Sequence, residues 1–79
     1  ILFAEEIESN IEYVLLQNPK KSIELSLHPY LEAFFTKGLM SKQMRWFLKH
    51  KRWVSINGLS SYRFLEYNIT DKNKKKISY

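Results

Sequence analysis

The chain contains no cysteine, only two glycines and two prolines, and no long run of apolar residues. The absence of cysteine excludes disulfide bridges, thiolate zinc sites and cysteine nucleophiles, and it is typical of proteins from a reducing compartment. The two glycines, Gly38 and Gly58, lie too far apart to form a glycine-rich phosphate-binding loop. No apolar stretch reaches the roughly 18–20 residues of a membrane span, and the acidic opening segment lacks the basic start of a signal peptide. We therefore expect a cytoplasmic protein that makes no contact with a membrane.

Residues that carry catalysis are few and poorly spaced. His28 and His50 have no cysteine partner and no H-E-x-x-H arrangement, so we expect the first to cap or border a helix and the second to lie at a helix C-terminus. Glu5, Glu8 and Glu12 share one face of a predicted helix, which indicates a solvated surface. The segment is thus predicted to hold no catalytic site and no metal site of its own.

The chain is rich in apolar and aromatic residues. Apolar residues make up 44% of its 79 residues, and aromatic residues make up 15%. This content disfavours disorder, and a chain of this length has room for one core. We expect a small domain over residues 1–70, followed by a mobile lysine-rich tail over residues 71–79. Because the sequence starts at Ile1 within a predicted helix, we also expect it to be the C-terminal part of a larger parent protein.

The first half of the chain predicts a helix, a strand and a second helix. Apolar residues recur at helical spacing over residues 3–15, and Pro19 ends that helix. Apolar and polar residues alternate over residues 23–27, which is typical of a strand with one buried face. Pro29 suits the first turn of the next helix, and Gly38 is its expected C-cap. The apolar stripe of this helix is predicted to contain Leu31, Phe34 and Phe35.

The second half predicts a helix and two strands. Ser41 is the expected N-cap of the third helix. The residues expected to face inward are Met44, Phe47 and Leu48, and those expected to face outward are Lys42, Arg45 and Lys49. Residues 53–56 and 62–69 read as strands separated by residues 57–61, a linker that is long enough for a hairpin. The predicted fold is α+β, in the order α-β-α-α-β-β, with the helices packed on one face of a small mixed sheet.

Positive charge is concentrated in the middle of the chain. The formal net charge is +5, and no acid occurs between Glu32 and Glu66. Basic side chains neutralise phosphates and exposed rings stack on unpaired bases, so this region predicts contact with single-stranded RNA. The candidate contact residues are Lys42, Arg45, Trp46, Lys49, Lys51 and Arg52. Two alternatives stay open, a solvated helix face with structural tryptophans and a surface that docks another protein.

Several segments resemble a known family. Residues 22–38 (SIELSLHPYLEAFFTKG), preceded by a helix like residues 5–16, resemble the C-terminal small domain of ribonuclease E/G family endoribonucleases. The stretch MRWFLKHKRW over residues 44–53 and the closing strand with Glu66 and Tyr67 are also similar to that domain. The resemblance covers nearly the whole chain, but only the last part of the family's catalytic half. Its motifs describe the fold and not the chemistry.

The resemblance implies a parent enzyme that processes RNA by magnesium-dependent cuts in single-stranded regions, often after sensing a 5′ end. The family's S1 region, its magnesium-holding aspartates in a DNase I-like subdomain and its Cys-Pro-x-Cys zinc link all precede the matched region. None of those residues occurs in this chain. The implied magnesium and zinc therefore belong to the parent. In the family, the small domain helps to assemble the homo-oligomer.

The third predicted strand indicates where such assembly takes place. It would place Tyr62 and Phe64 on the side opposite Leu65, Tyr67 and Ile69, and a sheet covered on one face cannot bury both sets. We expect Tyr62 and Phe64 to form an oligomer interface. The alternative is that the first helix or the tail covers them. The function expected overall is oligomer assembly with auxiliary RNA contact, and the alternative is a free-standing RNA- or ribosome-binding module without catalysis.

Overall fold

The computed structural model describes residues 2–79, which form an α+β fold in the expected order α-β-α-α-β-β. The helices are α1 (Leu2–Gln17), α2 (Pro29–Thr36) and α3 (Lys42–His50). The strands are β1 (Glu24–Leu27), β2 (Ser55–Gly58) and β3 (Tyr67–Thr70). The prediction of element types and of their order is confirmed.

The strands form one mixed sheet in the order β2-β1-β3. β1 is parallel to β2 and antiparallel to β3, and Leu25 pairs with Ile56 on one side and Ile69 on the other. The predicted mixed sheet is therefore confirmed, and β2 and β3 do not form the hairpin that their linker would allow. The apolar strand β1 occupies the centre of the sheet, where both edges of β1 are hydrogen-bonded. β2 and β3 therefore lie on opposite edges of the sheet.

The two faces of the sheet differ in polarity. Leu25, Leu27 and Ile69 point to the buried face, on which the helices pack, whereas Ser26 and Asn68 lie on the opposite face. The prediction that the helices cover one face is confirmed. The buried apolar residues are Ala4, Ile7, Ile11, Val14, Leu15, Ile23, Leu25, Leu27, Leu31, Phe35, Trp46, Val54, Ile69 and Ile77.

The second strand is shifted along the chain relative to its apolar pattern, and the third strand is shorter than its pattern suggests. β2 begins at Ser55 and not at residue 53, and β3 contains only the last part of residues 62–69. The segment before β3 forms turns, in which the N–H of Tyr62 donates to Leu59 O at 3.0 Å and the N–H of Glu66 donates to Arg63 O at 3.1 Å. The physical reason is that β1 has four residues, so a longer neighbour would have no ladder partner.

The helix starts follow the predicted capping chemistry. The His28 side chain caps α2 by accepting a hydrogen bond from the N–H of Tyr30, and Ser41 Oγ accepts one from the N–H of Met44 at the start of α3. His50 ends α3, as expected. The end of α2 differs from the prediction, because the C-cap is Lys37, in an extended conformation, and Gly38 follows it with φ of +91°.

The inward face of α3 was predicted wrongly. Trp46 is buried against Phe35, whereas Phe47 and Leu48 are 41% and 47% exposed and Met44 is partly buried. Phe34 of α2 is also exposed, although it was placed in the apolar stripe. The apolar residues around α3 allow more than one rotation of the helix, and packing the largest side chain against the core buries the most apolar area.

The segment expected to be a mobile tail folds back onto the sheet. Lys76 forms an antiparallel bridge with Thr70, and the N–H of Ile77 donates to Ile69 O at 2.9 Å. Ile77 is buried in the core and the Tyr79 ring stacks on Tyr67. These last residues therefore pack as part of the domain, and the isolated apolar Ile77 closes one edge of the core.

Tyr67 joins β3 to α1. Its hydroxyl donates to Glu6 Oε2 at 3.0 Å and accepts from Asn10 Nδ2 at 2.8 Å. Burial, opposed in part by the Asn10 hydrogen bond, raises the pKa of the Tyr67 hydroxyl well above its ordinary value. The hydroxyl thus stays protonated and remains a donor to the Glu6 carboxylate.

Gly58 allows α2 to pack closely against the edge strand β2. A Cβ at this position would lie 2.7 Å from Glu32 Oε1 and 3.1 Å from Pro29 Cα. The carboxylate can move, but the Pro29 backbone directly follows β1 and is held in place. We expect Gly58→Ala to lower the free energy of unfolding by about 1–3 kcal/mol. Urea denaturation measures the change.

The control for this substitution is Asn57→Ala, one residue earlier on the opposite face of β2. It should change the free energy of unfolding by less than about 0.5 kcal/mol, because it shortens a partly exposed polar side chain and adds no crowding. Equal losses in the two variants would contradict the close approach of α2 to Gly58.

Candidate nucleic-acid interface

The six residues proposed to contact RNA have different surroundings in the structure. Trp46 is only 2% exposed and its ring stacks on Phe35, with centroids 5.6 Å apart and an angle of 25° between the planes. A ring in this position cannot stack on a base. Trp46 is part of the hydrophobic core, which is the alternative that the sequence left open for it.

Two of the predicted contact lysines form ion pairs with α1. Lys42 Nζ lies 3.0 Å from Glu8 Oε2, and Lys49 Nζ lies 3.1 Å from Glu12 Oε1. Surface pairs of this kind contribute about 0.2–1 kcal/mol each, so their structural value is small. The carboxylates do lower the positive potential of this face. A phosphate would therefore have to compete with a carboxylate for each lysine. The two glutamates are therefore paired with α3, and their face is less solvated than predicted.

Arg52 stabilises the end of α1. Its guanidinium donates to three main-chain oxygens at 3.2, 2.9 and 2.6 Å, those of Leu15, Asn18 and Lys21. The last carbonyls of a helix have no partner within the helix, and the planar guanidinium can reach several acceptors at once. Arg52 thus connects the α1–β1 turn to the segment before β2, and three of its five N–H donors are occupied within the protein.

The remaining two candidates lie on the surface. Arg45 is exposed on α3. Lys51 is exposed and caps α3 in a left-handed conformation, with φ of 58°, while its N–H donates to Phe47 O at 2.8 Å. The six predicted residues therefore do not form one site, since one is buried, two are paired with glutamates and one holds the α1–β1 turn.

A different group of basic residues converges at one end of the sheet. The parallel strands β1 and β2 begin at this end and the antiparallel strand β3 finishes there, so three connections meet. Those connections carry Lys20 and Lys21, then Lys51 and Trp53, then Lys72. We call this set the basic end: Lys20, Lys21, Lys51, Lys72 and Trp53.

Contacts show that the three connections lie together. Arg52 binds the Lys21 carbonyl, and the N–H of Ser55 donates to Ile23 O at 3.1 Å. One groove runs between residues 19–23 and residues 51–53, and a second runs between residues 20–22 and residues 71–73. The α1–β1 turn thus separates two grooves, each lined by lysines from two different connections.

The electrostatics of this end are positive. None of its four lysines takes part in the ion pairs found among residues 2–79. The neighbouring acid, Asp71, organises its own turn by accepting hydrogen bonds from the N–H groups of Asn73 at 2.8 Å and Lys75 at 3.1 Å. The N–H groups of Lys75 and Asn73, together with the charge of Lys21, lower the pKa of the Asp71 carboxyl, which lines the second groove.

Sequence reasoning did not select Lys20, Lys21, Lys72 or Trp53 as one site. Lys20 and Lys72 are far apart in the chain, and only the pairing of β1 with β3 brings their connections together. The one sequence feature that could have pointed to this site was Trp53. Its ring is 53% exposed and meets Phe47 edge to face, with centroids 5.9 Å apart.

The opposite end of the sheet carries aromatic residues. The rings of His28, Tyr30 and Phe64 lie edge to face. The centroid of the His28 ring lies 5.3 Å from that of Tyr30 and 5.7 Å from that of Phe64, and the centroids of Tyr30 and Phe64 are 6.4 Å apart. Tyr30 and Phe64 are exposed, and the adjacent Leu65 is exposed as well. We call the group of His28, Tyr30 and Phe64 the aromatic end.

The two residues predicted to form an interface differ in their surroundings. Phe64 belongs to the aromatic end. Tyr62 is half-buried, and its hydroxyl accepts a hydrogen bond from Asn68 Nδ2 at 3.0 Å. They do not share a strand face, because the segment that contains them is not part of β3.

Within residues 2–79, no three His, Asp or Glu side chains are grouped so that they could hold a metal ion. The magnesium and zinc implied by the resemblance therefore have no donor group of this kind among the described residues. None of the helices in the described part of the chain is long and apolar enough to cross a membrane.

Comparison with protein-family models, curated protein sequences and solved structures finds no match.

Proposed function

We propose that this chain is the C-terminal small domain of a ribonuclease E/G-like endoribonuclease, in which it supports oligomer assembly and contacts RNA. The observation that carries the proposal is the separation of two surfaces, one basic and one aromatic, at opposite ends of a three-stranded sheet. Cleavage of RNA would belong to the parent protein, because residues 2–79 contain no grouped carboxylates for a metal ion.

The aromatic end supports the assembly part of the proposal. Tyr30 is 76% exposed and Phe64 is 48% exposed, although each contacts the other and His28. Aromatic residues grouped on a surface are typical of protein interfaces, where they supply a large share of the binding energy. A second copy of the same chain would bury this group at a symmetric contact.

The test of assembly is the double substitution Tyr30→Ser and Phe64→Ser. We expect the unsubstituted protein to show concentration-dependent mass in analytical ultracentrifugation, and the variant to associate at least about tenfold more weakly, because it loses two central rings. Trp53→Ser is the matched control, since it removes an exposed ring at the other end of the sheet. If the two variants associate equally well, the aromatic end is not the interface.

The RNA part of the proposal allows an alternative, a free-standing RNA- or ribosome-binding module. The specific observation that favours it is that lysines from three connections converge at the basic end, beside the exposed ring of Trp53. The two functions are distinguished by the polypeptide that contains this segment. Paired aspartates and a Cys-Pro-x-Cys motif before Ile1, together with magnesium-dependent RNA cleavage, would establish the enzyme.

A further inference from the structure

We infer that the basic end is a binding site for single-stranded RNA, in which four lysines contact phosphates and Trp53 stacks on an unpaired base. The inference rests on the RNA contact proposed above and assigns it to a surface and to a form of RNA. It also moves the contact away from the outer face of α3, where the sequence pattern had placed it.

The first argument is the distribution of charge. Lys42 and Lys49 on α3 are each about 3 Å from a carboxylate of α1. In contrast, the lysines of the basic end form no ion pair among residues 2–79. A phosphate at the basic end therefore gains a lysine contact without breaking an existing one, and the release of counterions favours binding.

The second argument is shape. The two grooves lie side by side across the α1–β1 turn, with Trp53 lining the first and Lys72 lining the second. Lys20 and Lys21 line both grooves. An extended nucleic-acid backbone that crosses the turn would meet lysines from all three connections, whereas a compact anion would reach only one groove.

The third argument concerns the aromatic ring. Trp53 is more than half exposed, and its contact with Phe47 restricts its motion. Stacking of a base on an exposed ring contributes roughly 1–3 kcal/mol and requires that the base be unpaired. Bases inside an A-form duplex are not available in this way. The site is thus expected to prefer single strands.

The test compares two fourfold variants with the same change in charge. The basic-end variant carries Lys20→Gln, Lys21→Gln, Lys51→Gln and Lys72→Gln. The control carries Lys37→Gln, Arg45→Gln, Arg63→Gln and Lys76→Gln, all at exposed positions away from the two grooves. Binding of a fluorescent uridine 12-mer is measured by anisotropy over a series of salt concentrations, after circular dichroism has shown that both variants are folded.

We expect the basic-end variant to bind at least tenfold more weakly, and its slope of log affinity against log salt to fall by about 3, since each lost phosphate contact to a single strand contributes about 0.7. The control should lose less than about threefold. Trp53→Leu should weaken binding of the 12-mer by roughly tenfold and leave binding of a 12-base-pair RNA duplex unchanged.

Other results of these binding measurements would show which part of the inference is wrong. Equal losses in the two fourfold variants would show a response to net charge alone, which overturns the site but leaves the proposed RNA contact in place. Binding of the duplex or of heparin as tight as that of the 12-mer, with no effect of Trp53→Leu, would overturn the base contact. If the unsubstituted protein binds no RNA, both the site and the proposed RNA contact are wrong.

Discussion

Replacing Trp46 by alanine is expected to lower the free energy of unfolding by about 3–5 kcal/mol, because the indole is buried and stacked on the buried ring of Phe35. Replacing Trp53 by alanine should lower it by less than about 1 kcal/mol, since that ring is half exposed. Urea denaturation followed by far-ultraviolet circular dichroism compares the two variants without using tryptophan as the probe. Similar losses would contradict the different positions of the two rings.

A domain of this size can lose its fold after a change of that magnitude, so a milder variant is needed. Trp46→Phe keeps an aromatic ring against Phe35 and should remain folded with a smaller loss. Its only indole is then Trp53, which should be quenched readily by acrylamide. In Trp53→Phe the only indole is Trp46, and quenching should be several-fold weaker because the ring is shielded from the solvent.

Replacing Arg52 by methionine should lower the free energy of unfolding by roughly 2–4 kcal/mol. The substitution keeps much of the apolar stem but removes the hydrogen bonds to the carbonyls of Leu15, Asn18 and Lys21. Hydrogen bonds from a charged donor contribute about 1.5–3 kcal/mol each when partly buried, and less where water can replace the donor. Thermal and urea unfolding both measure the loss.

Two further substitutions separate geometry from charge. Arg52→Lys keeps the charge but cannot reach three acceptors at once, so it should recover less than half of the stability lost in Arg52→Met. Lys51→Met removes a neighbouring exposed charge and should change stability by less than about 0.5 kcal/mol. Full stability in Arg52→Lys would mean that charge alone matters and that the three hydrogen bonds do not.

These effects show why Arg52 and Trp46 were difficult to interpret before the fold was known. Both lie in a stretch of alternating basic and aromatic residues, which is typical of nucleic-acid binding. Arginine donates equally well to phosphates and to carbonyls, and tryptophan suits a core as well as a base-stacking surface. Residue type therefore could not decide between function and structure, because that depends on which groups lie nearby.

The sequence by itself determined the local structure. Apolar spacing and the capping residues His28, Pro29 and Ser41 indicated the helices, and the alternation at Leu25 and Leu27 indicated the central strand. These features depend on interactions between residues only a few positions apart, which is why the pattern reveals them. The bounds of β2 and the length of β3 could not be determined in this way, because a strand extends only where it has a partner.

Only the tertiary structure decided which residues share a surface. The order β2-β1-β3 places the connections that carry Lys21, Lys51 and Lys72 at one end, and Tyr30 and Phe64 at the other. It also places α3 beside α1, so that glutamates neutralise two of its lysines. These arrangements arise from long-range strand pairing and burial, which bring together residues whose separation along the chain contains no information about their distance in space.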